Sequence, residues 1–196
     1  MQLYGTTTSP FVRRVRIVAA ELGEPIERID TATDAGQAAL REVSPIRKVP
    51  VAIVEGAPLF DSLAIIDELF AQHGRGPIVE RPGRVERNLL HAIDAALDAT
   101  IQLFYLRRDG IAIDGTPYAE RQLARADAIF DWLANQLNED GGGFGRGLGL
   151  AEISLVCAID WMEFRDTYPL ERVRAVEGVR AAWSDRASFV ATRPSV

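Results

Sequence analysis

The chain has 196 residues, 47% hydrophobic and 26% charged, enough apolar material for one large domain or two small ones with ordinary cores. A formal charge of −6 argues against nucleic acid as a general partner. A lone cysteine, Cys157, excludes an intrachain disulfide framework and a Cys-x-x-Cys redox pair. It sits in the apolar run 153–159 and reads as core. His73 and His91 are far apart with no clustered ligands, so no metal is expected. No basic-then-apolar leader opens the chain, and no apolar run reads as long enough to cross a bilayer. A soluble cytoplasmic protein without a membrane partner is the expectation.

Residues 1–75 alternate strand and helix signals. Gln2 to Gly5 reads as a strand that enters the hydroxyl-rich loop Thr6-Thr7-Thr8-Ser9. Ser9 is a favoured N-cap and Pro10 fits the first helical turn. Phe11, Val12, Val15, Val18, Ala19 and Leu22 then recur at helical spacing until Gly23 stops the run. Arg13, Arg14 and Arg16 read as a solvated side of this helix. Ile26 to Asp30 is a second strand. Asp34 to Val43 is a helix started by Thr33 or Asp34 and stopped at Ser44-Pro45. Val51 to Val54 and Pro58 to Phe60 form a hairpin around Glu55-Gly56-Ala57. Ser62 to His73 is a third helix. The order βαβαββα predicts a mixed sheet with helices packed on it.

Gly74-Arg75-Gly76-Pro77 and Arg81-Pro82-Gly83 mark a linker. Beyond it every strong signal is helical: Arg84 to about Asp109, Pro117 to about Leu137, Leu150 to Phe164, and shorter helices between Leu170 and Thr192. The glycine-rich stretch 140–147 follows no strand and reads as a turn, not a phosphate loop. Two domains are expected, an α/β domain over residues 1–75 and an all-helical domain over 83–196.

Three places in the first half can carry chemistry. The Thr6 to Ser9 hydroxyls stand at a helix N-terminus, whose spare N–H donors suit an anion such as a thiolate. They serve equally well as caps. Ser9 has no histidine base or acid partner in reach of the pattern, which argues against a hydrolase nucleophile. Val49-Pro50 is a candidate cis peptide bond, leaving the Val49 backbone to pair with an extended ligand while Lys48 meets a carboxylate. An edge-strand proline beside a solvated lysine explains the same residues. Asp61-Ser62 opens a helix and can take an ammonium group and a carboxylate, or simply cap it.

Taken together, Leu3-Tyr4-Gly5, Thr8-Ser9-Pro10-Phe11-Val12-Arg13, Lys48-Val49-Pro50 and Asp61-Ser62-Leu63-Ala64-Ile65 resemble the thioredoxin-like domain of the glutathione S-transferases. The second half resembles that family's helical domain at Leu148-Gly149-Leu150-Ala151-Glu152-Ile153, and Asp160 to Arg165 is similar to the following helix in bacterial members. The resemblance implies an α/β thioredoxin-like N-terminal domain followed by an all-α C-terminal domain, with glutathione as co-substrate and no metal. Ser9 would donate its hydroxyl to the glutathione sulfur, with Thr7 or Thr8 as alternatives. Val49, ahead of a cis bond to Pro50, would pair with the cysteinyl part. Lys48 would approach the glycyl carboxylate, and Asp61 and Ser62 would take the γ-glutamyl amine and carboxylate. Thr7 and Phe11 would line the same site. A second, apolar substrate would bind between the domains against Phe11, Phe104, Tyr105, Tyr118 and Trp161.

The sequence also departs from the family. Gly149 replaces the usual Ser or Thr cap, Glu152 the usual Asp, Asp61 the commoner Glu, and Arg47 a common glycine. No cysteine lies in the first loop, unlike the branch that forms mixed disulfides with glutathione. The reading is a homodimeric glutathione transferase of the serine or hydroxyl type, acting on small hydrophobic electrophiles in detoxification. Glutathione-dependent disulfide reduction, or a non-catalytic binding or regulatory protein of the same fold, are the other readings.

Overall fold

The computed structural model describes residues 1–195. Its contacts divide the chain into two compact units, Met1–Val79 joined by the segment from Arg186 onward, and Glu80–Asp185.

The first unit contains β1 (Gln2–Gly5), α1 (Pro10–Leu22), β2 (Glu27–Asp30), α2 (Asp34–Val43), β3 (Val51–Val54), β4 (Ala57–Leu59) and α3 (Ser62–His73). The strand order is β2-β1-β3-β4. β1 runs parallel to β2 and antiparallel to β3, and β3 is antiparallel to β4. A parallel neighbour requires a crossover, which α1 provides, whereas β3 and β4 need only a tight turn. Glu55 and Gly56 make that turn, both with positive φ, at 50° and 80°. Such turns match the twist of the flanking strands. Leu3, Val51 and Ala52 from the sheet and Val12, Val15, Ile17, Val18, Ile65 and Ile66 from the helices are fully buried. Gly5 decides how closely α1 approaches the end of β1. A Cβ there would lie 2.4 Å from a Val12 methyl.

The second unit contains α4 (Gly83–Arg108), α5 (Pro117–Ala134), α6 (Leu150–Arg165), a 3-10 helix (Leu170–Val176) and α7 (Glu177–Trp183). α6 buries every side chain from Leu150 to Ile159, along with Trp161 and Met162. A helical segment buried on all sides stands at the centre of its unit. The expectation that no apolar run reaches membrane-spanning length needs correction. By length and composition α4, with 26 residues, is long and apolar enough to cross a bilayer. Its apolar positions Leu89, Leu90, Ile93, Ala96, Leu97 and Leu103 are buried in this unit, where α4 packs on α5 and α6.

The start of α6 explains the unusual Gly149. Glu152 is fully buried, and its carboxylate accepts from the Gly149 N–H at 3.0 Å and the Phe144 N–H at 2.7 Å. Arg81, 6% exposed, reaches the same carboxylate at 2.6 Å. A Cβ on residue 149 would fall 1.5 Å from Arg81 Nη1. The space a capping hydroxyl would need is therefore filled by a guanidinium, and the helix is capped from inside by Glu152.

After α7 the chain returns to the first unit. The domain reading from sequence carried the helical part to residue 196. The structure instead lays the segment from Arg186, including α8 (Ala187–Val190), along α1. Arg186 pairs bidentately with Glu21 at 2.6 Å for both bonds, and Ser188 donates to the same carboxylate. Arg13 donates to Phe189 O at 3.3 Å and Thr192 Oγ1 at 3.5 Å, and Arg16 to Ala191 O at 3.4 Å. Thr7 Oγ1 donates to Ser195 O at 2.6 Å. The segment thus runs antiparallel along the helix, from its C-terminal end to the loop before it. This overturns the expectation of a solvated arginine face: Arg13 and Arg14 are 1% and 3% exposed. The pattern within α1 signals one buried face, but the returning segment and α3 cover further sides.

Two outcomes follow for stability. Gly149→Ala should cost about 3 kcal/mol or more in urea denaturation, because the methyl evicts Arg81 from a buried ion pair. A loss of only a few tenths would show that Arg81 relocates freely. The Arg186 guanidinium, and secondly Ser188, hold the Glu21 carboxyl below its ordinary 4.5 against the opposing effect of burial. A lowered folded-state pKa gives stability present above the ordinary value and lost as pH falls through the lowered one. Glu21→Gln should therefore flatten the stability profile below pH 4.5, measured by thermal melts across the acid range.

Candidate functional site

β1 delivers the chain into the Thr6 to Ser9 loop, and Gly5 allows α1 to start beside the strand's end. Ser9 is the N-cap of α1, extended at φ −74° and ψ 126°, and its Oγ accepts from the Val12 N–H at 3.3 Å. An oxygen that accepts keeps its own proton to donate, and that proton has no acceptor among the described residues. The neighbouring hydroxyls differ. Thr6 and Thr8 bond each other at 3.2 Å, and Thr7 is committed to Ser195 O. Ser9 is half-buried, beside the N–H groups of a 13-residue helix. Phe11, also half-buried, lies under the Arg14 guanidinium at 5.0 Å.

The Val49–Pro50 bond is cis, as is Phe60–Asp61. β3 begins at Val51, paired with Tyr4, so Val49 lies beyond the last rung of the ladder. No hydrogen bond to its backbone is made among the described residues. Backbone groups in such a position require water or a ligand. Val49 and Phe60 pack on the cluster of Tyr4, Leu40 and Val51. Lys48 and Arg47 are exposed. Arg47 takes φ 55°, the left-handed conformation that favours glycine. That conformation accounts for the glycine usual at this place.

Asp61, not Ser62, caps α3: its Oδ1 accepts from Leu63 N at 2.8 Å and Ala64 N at 3.3 Å. Ser62 is 2% exposed, and its Oγ receives Arg14 Nε at 3.1 Å and Nη2 at 2.7 Å. Sequence reasoning missed Arg14. Its side chain ties α1 to the N-terminus of α3 and brings a positive charge to the place where Ser62 was expected to hold a carboxylate. Its only signal in the sequence was its position one turn after Pro10 on a helix with few polar residues.

In the helical unit, Trp161 is buried and meets Phe104 edge-on at 5.7 Å. Tyr105 is 49% exposed, with the Arg108 guanidinium over its ring at 4.7 Å. The Tyr118 hydroxyl donates to Gln102. Arg165, given no role in the sequence analysis, lies over the rings of Phe104 at 5.3 Å and Phe164 at 5.0 Å. An open depression in this unit is lined by Arg107, Leu123, Thr167 and Tyr168 among others. None of the aromatic side chains expected to meet a second substrate lines it. Among the described residues no three His, Cys, Asp or Glu side chains gather as a metal site.

Residues 3–80 match the glutathione S-transferase N-terminal domain and residues 116–190 the glutathione S-transferase C-terminal domain. The chain is 29% identical over 202 residues to the uncharacterized GST-like protein YibF of Escherichia coli K12, covering 99% of this chain and 98% of that one. A glutathione S-transferase from Methylobacillus flagellatus KT, solved with glutathione bound, superimposes with a TM-score of 0.84 at 24% identity over 99% of both chains. A glutathione transferase family member from Pseudomonas fluorescens Pf-5, also with bound glutathione, gives 0.78 at 27% identity over 100% of this chain and 99% of that one.

Ser62→Ala removes an acceptor shared by two donors of a buried guanidinium. The expected cost is about 1.5–3 kcal/mol in denaturant unfolding, while Ser62→Thr, which keeps the oxygen, should recover most of it.

Proposed function

The chain belongs to the glutathione S-transferase family, and we propose that it binds glutathione, stabilises the thiolate and adds it to a small hydrophobic electrophile. The observation that carries this reading is the uncommitted Ser9 hydroxyl proton at the start of α1. The roles of the other residues follow from their chemistry. Val49 offers its backbone N–H and C=O to the cysteinyl unit as an added strand. Lys48 meets the glycyl carboxylate. The γ-glutamyl carboxylate is taken at the start of α3 by the Ser62 hydroxyl, whose charge environment Arg14 makes favourable. The α-ammonium group is taken by the Asp61 carboxylate. Glutathione in the two solved relatives supports the choice of ligand.

The chemistry asked of the protein is modest. A free thiol titrates near 8.5, so only a few per cent is thiolate at neutral pH. A hydroxyl donor and the helix N-terminus both favour the charged form. The sulfur then forms the new bond to the electrophile's carbon, and the leaving group departs with its electron pair. Phe104 and Tyr105 offer an apolar wall to the acceptor. Trp161, buried behind Phe104, acts as support for that wall. The family's homodimeric assembly and a cytoplasmic setting complete the proposal.

Calorimetric titration with glutathione tests binding, and the ultraviolet absorbance of the bound thiolate against pH tests activation. Ser9→Ala should raise the bound thiol's pKa by about one unit and slow conjugation about tenfold at neutral pH. An unchanged titration curve would remove Ser9 as sulfur donor. Absence of any glutathione binding by the wild type would leave the fold in a non-catalytic role. Oxidised glutathione formed from a model disulfide without any conjugate would favour reductase chemistry.

A further inference from the structure

We propose that Thr7 is a positioning residue for the Ser9 hydroxyl, acting by tying the loop that carries Ser9 to the chain segment 186–195. The inference rests on the transferase reading above and adds a residue to it. Thr6 to Ser9 join the end of β1 to the start of α1, and Gly5 and Pro10 on either side of them are buried. Among the described residues the hydroxyls of this loop are used in three different ways. Thr6 and Thr8 bond each other at 3.2 Å, which stiffens the loop without placing it. Ser9 is bound to its own helix through the Val12 N–H. Thr7 reaches outward, donating to Ser195 O at 2.6 Å across 188 positions of sequence. A hydroxyl has one proton to give. Thr7 spends it on Ser195 and holds the loop, while Ser9 keeps its own for the sulfur.

Such a tie positions the loop only if its acceptor is itself fixed, and the segment 186–195 is fastened along α1. Arg186 holds Glu21, in the last turn of the helix, through two bonds of 2.6 Å, and Ser188 donates to the same carboxylate. Phe189 is fully buried, and Thr192, 4% exposed, donates to Ser188 O at 2.8 Å. Arg13 and Arg16 of α1 donate to Phe189 O and Ala191 O. Ser195 thus ends a strut seated on the same helix whose N-terminus Ser9 caps. The Thr7 bond closes a ring that runs from loop to helix to segment and back to the loop. A short loop fixed at its middle as well as its ends has few other conformations to visit. A donor aimed at an anion is most effective when its position is set in advance.

The test uses Thr7→Val, which loses the donor, Thr7→Ser, which keeps it, and deletion of residues 194–196, which removes the acceptor. The ultraviolet absorbance of the bound thiolate against pH, with kcat and KM for glutathione, reads the site. Thr7→Val and the deletion should each raise the bound thiol's pKa by about half a unit to one unit and lower kcat/KM about three- to tenfold at neutral pH. Thr7→Ser should match the wild type. Combining Thr7→Val with the deletion should do no more than either alone, because both break one bond. A deletion that leaves the thiol's pKa unchanged would overturn the proposal, as would effects that add, which put Thr7 on the sulfur itself. Hydrogen exchange at the amides of residues 6–12, without glutathione, reads the clamp independently. Both changes should quicken it about two- to tenfold, the worth of one hydrogen bond, and an unchanged rate overturns the proposal. A wild type that binds no glutathione, with exchange that still quickens in both variants, would sink the transferase reading and leave the clamp standing.

Discussion

The first unit depends on burying two guanidinium groups in one helix. Taking an arginine out of water costs several kcal/mol unless its donors are met. α1 places Arg13 and Arg14 side by side in the interior, and each is met from elsewhere in the chain. Arg13 reaches the carbonyl of Phe189 and the hydroxyl of Thr192, residues close to the far end of the sequence. Arg14 reaches Ser62 at the start of α3. The helix therefore cannot shift without exposing apolar surface and stranding a charge. The loop that precedes it, and the N-terminus of α3 beside it, inherit a fixed geometry.

That fixity matters for the chemistry. A thiolate is stabilised only if the donor is in place before the ligand arrives. A helix N-terminus favours an anion by roughly 0.3–1 kcal/mol, and a hydrogen bond to a charged group by about 1.5–3 kcal/mol. The hydroxyl is thus the larger effect, and together they correspond to about one to three units of pKa. The cap bond from the Val12 N–H positions the Ser9 oxygen, so the same contact that starts the helix also aims the donor.

The helical unit solves a different problem. Its central helix α6 buries every side chain from Leu150 to Ile159 and begins at a glycine, which has no side chain to cap it. Glu152, buried among apolar neighbours, takes the N–H groups of Gly149 and Phe144, and Arg81 neutralises it. Glycine at residue 149 is the condition for this arrangement, because any Cβ would collide with the arginine. What looks like the loss of a cap is an exchange of one capping group for another. Arg165, at the other end of the same helix, is the contrasting case: its guanidinium lies over the rings of Phe104 and Phe164, with no ion pair to a side chain among the described residues.

Local chemistry determined much of this protein. Ser9-Pro10 as a helix start, Glu55-Gly56 as a hairpin turn, the βαβαββα order and the helical second half are all properties of neighbouring residues. The cis bond at Val49–Pro50 was legible for the same reason, since it rests on a dipeptide. The tertiary structure decided what depends on residues far apart. The descent of the C-terminal segment onto α1, the burial of Arg13 and Arg14, and the meeting of Arg81 with Glu152 join positions that no periodicity relates. Arginine has a long apolar stem and a charged head, so its pattern in a helix is the same whether the head ends in water or in a buried network. Only the fold shows which partner stands at the other end.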